Sequence, residues 1–166
     1  MNDASGQPEQ ALVQFDCNGR AVGKMRNELT VRMALPFAEG PFELATDEGS
    51  FHGGDASAPP PLALFVGGLT GCIMTQIRAF AKRMGVSLKD LNVETRVQWN
   101  WQARGRIYET APHAFEIDVM IDSDDDPAKV VDLINAAKKG CFIEQTLGRQ
   151  NTIRHRMKTA GGWTDV

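Results

Sequence analysis

The sequence predicts an α+β domain: N-terminal antiparallel strands, one long apolar helix, further strands, then C-terminal helices and a closing strand. Three observations carry this. Apolar and polar residues alternate through residues 11–46 and again through 91–121, the two-residue period of a half-buried strand. Between them, an apolar run of helical length follows Pro59-Pro60-Pro61. An amphipathic pattern of period near 3.6 then begins at Pro127. The whole chain has 166 residues, of which 42% are hydrophobic, enough to bury a core without disulfide or metal staples. The organisation expected is a polar tail, residues 1–10, disordered, followed by a single domain over 11–166.

The first strand is carried by Leu12, Val13 and Phe15, and Asn18-Gly19 is a turn signal after it. Leu29, Val31 and Met33 alternate with Thr30, Arg32 and Ala34 in the second, and Pro36 to Pro41 separate it from a third with Phe42 and Leu44. A Gly- and Pro-rich loop, DEGSFHGGDASAPPP, spans 47–61 and is too long for a hairpin; loops of that length are often functional. The helix is expected from the last proline to about Met84, where Gly85 supplies the stop and Lys82 and Arg83 suit the dipole. Its first three turns are apolar almost all round, which predicts burial on every side. Gly67, Gly71 and Thr75 recur every four residues and form a nearly bare stripe that would let another helix approach closely.

Val93, Thr95, Val97 and Trp99 share one face of a strand over 91–101; residues 103–106 make a turn, and 114–121 return with Phe115, Ile117, Val119 and Ile121 inward. Pro127 opens a helix carrying Val130, Val131, Leu133 and Ile134, broken at Gly140. A short helical segment over 141–147 ends at Gly148, and 151–158 closes the chain as a strand.

A net charge of −3 gives no strong pull toward nucleic acid or anionic lipid. The basic residues Arg154, Arg156 and Lys158 alternate with apolar ones as a solvated strand face does. The N-terminus lacks the basic-then-apolar pattern of a secretion signal, so the expected compartment is the reducing cytoplasm. The run 62–77 reads as a core helix of a soluble protein rather than a membrane span, because it holds three glycines, two threonines and a glutamine. His52, His113 and His155 have no partner at ligand spacing, so no metal is expected, and no dinucleotide or phosphate-binding fingerprint implies a cofactor.

The chemistry then rests on three cysteines. Cys72 lies inside the apolar helix, where a free thiol usually packs as a small hydrophobe. Cys141 follows Gly140 at a helix start, where backbone N–H groups favour thiolate, though inert cysteines occupy such places too. Cys17, beside the first turn signal, reads as an unremarkable half-buried thiol.

The segment GGDASAPPPLALFVGGLTGCIMTQIRAFAKRMGVSLKDLNVE, with CFIEQTL at 141–147, resembles the OsmC/Ohr family of osmotically induced and organic hydroperoxide resistance proteins. Members carry a Gly-Gly-Asp loop, a proline, an apolar helix with the first redox cysteine, and a second cysteine late in the chain before a Thr-Leu stretch. The resemblance runs from about Val13 to Lys158, with its cysteines 69 positions apart. It implies an OsmC-like fold as an intertwined homodimer with active sites at the subunit interface. It also implies reduction of organic hydroperoxides in which Cys72 is peroxidatic, Cys141 resolving and a dithiol the reductant. An arginine in a Gly-Arg context holds the family thiolate, and Asn18-Gly19-Arg20 matches it, which points to Arg20.

Two departures stand out. Leu62 occupies the place after proline where the peroxidases have a glutamate that orients the arginine, and Phe142 follows the second cysteine where proline is common. Asp47, Glu48, Asp55 and Glu144 are the candidate replacements for that carboxylate. Leu62 therefore motivates a second reading, a non-catalytic OsmC-like binder of a small apolar ligand or a thiol redox sensor. A purely structural dimeric domain is the third.

Overall fold

A computed structural model describes residues 10–166; the expected N-terminal tail lies outside the described residues except for its last position. The chain divides into two compact units, one ending at Phe65 and one spanning Val66–Val166.

The first unit is an antiparallel sheet in the order β1 (Gln14–Val22), β2 (Arg26–Leu35) and β3 (Glu39–Thr46). The first turn is not at Asn18-Gly19. Those residues pair with Thr30 and Leu29 inside the ladder, and the reversal falls at residues 23–25, where Gly23 takes φ +69°. Gly19 is a glycine for a different reason: a Cβ there would lie 3.2 Å from Leu29 Cδ2, tighter than ordinary contact.

After β3 the loop is organised by one buried carboxylate. Asp47, 2% exposed, accepts hydrogen bonds from Glu48 N (2.9 Å), Ser57 N (2.9 Å) and Ser57 Oγ (2.7 Å). These bonds, those from Ser57 foremost, hold its pKa below the usual carboxylate range. Gly54 threads beneath the Glu48 carbonyl, with Gly54 N donating to Gly49 O and Ala56 N to Glu48 O. Lys24 in the β1–β2 turn and Arg26 just after it reach Asp55 (2.6 Å) and Ser57 (3.0 Å to Oγ).

Helix α1 covers Pro61–Met84, with the ends expected from Pro61 and from Gly85, which adopts φ +66°. Its burial differs from expectation. Leu69, Ile73, Ile77 and Ala81, spaced by four, are its buried residues, while Leu62 and Leu64 are exposed. The chain covers one stripe of a helix that is apolar all round, and Gly67 and Gly71 have nothing within 4 Å of an added Cβ. By length and composition α1 is also apolar enough to cross a membrane, and 17% of its most apolar window is buried.

In the second unit β4 (Asp90–Arg104) and β5 (Ile107–Asp122) form a hairpin that reverses at Gly105-Arg106, with Gly105 at φ +62°. Both strands run well past the expected 91–101 and 114–121. The inner half packs: Val93 is buried, and Leu91, Ile117, Val119 and Ile121 join the core. Phe115, expected inward, is exposed and instead meets Trp99 edge-on at 6.2 Å. Outside, Arg96 bridges Glu116 and Asp118 at 3.1 Å each.

Helix α2 (Pro127–Gly140) starts on Asp126, whose carboxylate accepts from Ala128 N at 2.7 Å, and α3 (Phe142–Leu147) follows directly. Leu133 and Ala137 of α2 meet Ile73, Ile77 and Ala81 of α1 in one cluster with Val86, Val93 and Cys141. The expected closing strand over 151–158 is instead a late hairpin, β6 (Arg156–Thr159) with β7 (Gly162–Asp165). Asn151 is occupied otherwise, its side-chain amide donating to Thr146 O and Arg149 O. The basic residues there lie on the surface: Arg154 pairs bidentately with Asp165, and Arg156 and Lys158 lie over the Trp163 ring.

Candidate functional site

The two cysteines of the expected pair come together within the second unit, although 69 positions separate them. Cys72 sits midway along α1, between Gly71 and Ile73. Cys141 is the single residue joining α2 to α3, fully buried in the core cluster. Both are free thiols, Cys72 partly and Cys141 wholly buried.

Burial pushes the Cys141 thiol up to about 11, from an ordinary 9.0, and the neighbouring Cys72 sulfur adds to the rise. The backbone N–H groups of Glu144 and Ile143, in the first turn of α3, oppose it without cancelling it. The helix-start effect that predicts a reactive thiol is therefore present here, but desolvation outweighs it. Cys141 is held protonated near neutral pH.

Close packing fixes where Cys141 lies. A Cβ on the preceding Gly140 would fall 2.6 Å from Phe80 Cζ, 2.8 Å from Phe80 Cε2 and 3.3 Å from Gln76 Oε1, all on α1. A glycine at this point lets the end of α2 approach α1 and carry Cys141 to Cys72. On the other side, Ile143 Cδ1 of α3 lies 3.6 Å from where a Cβ of Gly68 would be. Gly140 thus serves close approach at the α1 turn after Cys72, whereas at the turn before it the contact beside Gly68 is an ordinary one.

The remaining expected residues are placed less simply. Arg20 lies in the first unit, within β1 rather than in a turn, paired with Glu28 across the ladder at 3.0 Å and largely exposed. Cys17 is exposed, not half-buried, because both faces of β1 are largely open. Leu62 is 54% exposed and the first turn of α1 carries no acidic residue. Of the possible replacement carboxylates, Asp47 is committed to the loop and Asp55 to Lys24. Glu144 is half-buried in α3, one turn from Cys141. Gln76, one turn beyond Cys72, did not stand out in the sequence. The signal was its amide inside an otherwise apolar helical run.

A family model described as OsmC-like protein matches residues 53–156, which hold both cysteines and every element from α1 to α3. The chain belongs to the OsmC-like protein family. This OsmC-like protein is 60% identical to an OsmC-like hydroperoxide resistance protein from Jannaschia sp. CCS1. That crystal structure aligns over 93% of this chain and 98% of its own, with a TM-score of 0.65. The fold is shared more widely. An organic hydroperoxide resistance protein OsmC from Legionella pneumophila aligns at TM-score 0.60 and 17% identity, over 83% of this chain and 91% of that one. An OsmC-like protein from Mycoplasma pneumoniae aligns at 0.62 and 15%, over 81% and 87%. No match was found among curated proteins. The α+β, OsmC-like architecture expected from the sequence is the observed one.

Proposed function

We propose that this OsmC-like protein serves in hydroperoxide resistance by reducing organic hydroperoxides at the Cys72–Cys141 pair. The observation that carries the reading is the meeting of these two sulfurs, one partly open and one fully buried. The Cys72 thiolate attacks the terminal peroxide oxygen and the O–O bond breaks. The alkoxide leaves and takes a proton to become the alcohol, and Cys72 is oxidised to sulfenic acid. The Cys141 sulfur then attacks the Cys72 sulfur. The S–O bond breaks, and the departing hydroxide takes the Cys141 proton as water. A dithiol reopens the resulting disulfide and is itself oxidised, as a reducing cytoplasm would allow.

The difference in burial supports the division of labour. A buried thiol held protonated is unsuited to first attack, whereas Cys72 retains access to a small molecule. Arg20 is assigned as the cation that favours the Cys72 thiolate, and the protein as a homodimer. The exposed apolar side of α1, with Gly67 and Gly71 open, supports a second copy packing there. The reduced protein is expected to consume cumene hydroperoxide in the presence of dithiothreitol, and Cys72→Ser to abolish the activity. Full activity in Cys72→Ser would overturn the proposal.

One feature favours the second reading, a non-catalytic binder or thiol sensor. The first turn of α1 is apolar at Leu62, and Asp47 and Asp55 are engaged elsewhere. Thiols that persist after stoichiometric peroxide, together with thermal stabilisation by an apolar ligand, would decide for it.

A further inference from the structure

The half-buried carboxamide of Gln76 has no role in the steps above. It lies four residues after Cys72 on α1, so the two side chains share a face. Side chains in a helix lean toward its N-terminus, which carries Gln76 back over the turn that holds Cys72. Its Oε1 stands 3.3 Å from where Gly140 would carry a Cβ, beside the residue that leads into Cys141. Phe80 fills the rest of that space, with its ring 2.6 Å from the same point. Among the described residues the Gln76 carboxamide has no hydrogen-bond partner, whereas Thr70 and Thr75 on the same helix bond their own backbone carbonyls. The amide is half-buried and keeps contact with solvent, so it is free to bond a polar group that arrives beside the two cysteines.

We infer that Gln76 donates a hydrogen bond to the oxygen that Cys72 carries after peroxide reduction. This rests on the proposed thiol chemistry and adds a residue to its second step. In that step Cys72–SOH and Cys141–SH become the disulfide and water, and negative charge gathers on the departing oxygen. A donor next to that oxygen stabilises the leaving hydroxide before it takes the Cys141 proton. The amide can do this without competing for the thiolate, because it has no charge and no nucleophilic nitrogen.

The test is single-turnover disulfide formation in the full-length protein after one equivalent of cumene hydroperoxide, comparing parent, Gln76→Met and Gln76→Glu. Methionine keeps length and packing but removes the donor. Glutamate keeps the shape but donates only when protonated, near an ordinary pKa of about 4.3. Loss of one such hydrogen bond is expected to slow the disulfide step about tenfold in both variants at pH 7. Trapping of Cys72 sulfenic acid by dimedone should rise correspondingly. Below about pH 4, where that glutamate is mostly protonated, the Gln76→Glu rate should approach the parent's measured at the same pH while Gln76→Met stays slow, a recovery that a packing role would not give. A Gln76→Met rate equal to the parent's overturns the inference and leaves the thiol chemistry standing. A parent that forms no disulfide overturns that chemistry itself.

Discussion

Gly54 is the position where the least chemical change should do the most damage. An added Cβ would sit 1.9 Å from the Glu48 carbonyl oxygen, 2.6 Å from its carbon and 2.9 Å from Asp47 Oδ1. The first two contacts are with backbone, so no rotamer relieves them. Relief requires the loop to part from Glu48. That would give up Gly54 N to Gly49 O (3.1 Å), Ala56 N to Glu48 O (3.0 Å) and part of the Ser57 grip on Asp47. At about 1 kcal/mol for each neutral bond and about 2 for a bond to a buried carboxylate, Gly54→Ala should cost about 3–5 kcal/mol. The entropy that alanine removes from the unfolded chain returns about 0.4–1 kcal/mol, too little to offset it. Gly49 is the internal control: it has φ −75° and nothing within 4 Å, so Gly49→Ala should be neutral or slightly stabilising. Urea unfolding followed by far-ultraviolet circular dichroism reads the difference, and amide exchange at Ser57 locates it. Stabilities of the two variants within about 1 kcal/mol of each other would refute the reasoning.

Three further outcomes follow from the second unit. Gly140→Ala should lower the melting temperature, because overpacking against Phe80 costs about 1–3 kcal/mol against about 1 gained in helix propensity; Phe80→Leu in the same chain should restore it. Asp126→Ala removes the cap on Ala128 N and should cost about 1 kcal/mol in chemical denaturation. The buried Cys141 should make the fold sensitive to alkali. Its folded pKa of about 11 lies above the ordinary 9.0, so unfolding releases a proton between these values and stability falls as pH rises from about 9 to 11. The loss expected is about 2–3 kcal/mol relative to Cys141→Ala carried through the same titration, and parallel curves for the two proteins would contradict it.

Much of this is legible in the amino-acid sequence. Pro61, Gly85 and Pro127 mark element ends because each acts locally, through a missing N–H or a positive φ, whereas Gly148 closes α3 in an ordinary helical conformation. The inward faces of β4 and β5 followed from two-residue alternation near the core, where one side is covered. The misses arise where local signals compete with pairing. Asn18-Gly19 has turn chemistry, yet Gly23 carries the positive φ while Gly19 serves close packing on Leu29. The outer half of the β4–β5 hairpin leaves no pattern in the sequence because its ladder is held by backbone bonds with little burial. Apolarity all round α1 predicts a helix well, but which side this chain covers depends on Leu133, Ala137 and Val93, remote in sequence. The cysteine pair was readable by resemblance. The reason the sulfurs meet, a glycine at 140 vacating space for Phe80 and Gln76, emerges with the packing.

The most direct test is peptide mapping under non-reducing conditions after one equivalent of an organic hydroperoxide is added to the fully reduced protein. A linked pair of peptides containing Cys72 and Cys141, with Cys17 left alkylated as a free thiol, is the result predicted here. Intact thiols at both positions, or oxidation at Cys17 in their stead, would contradict it.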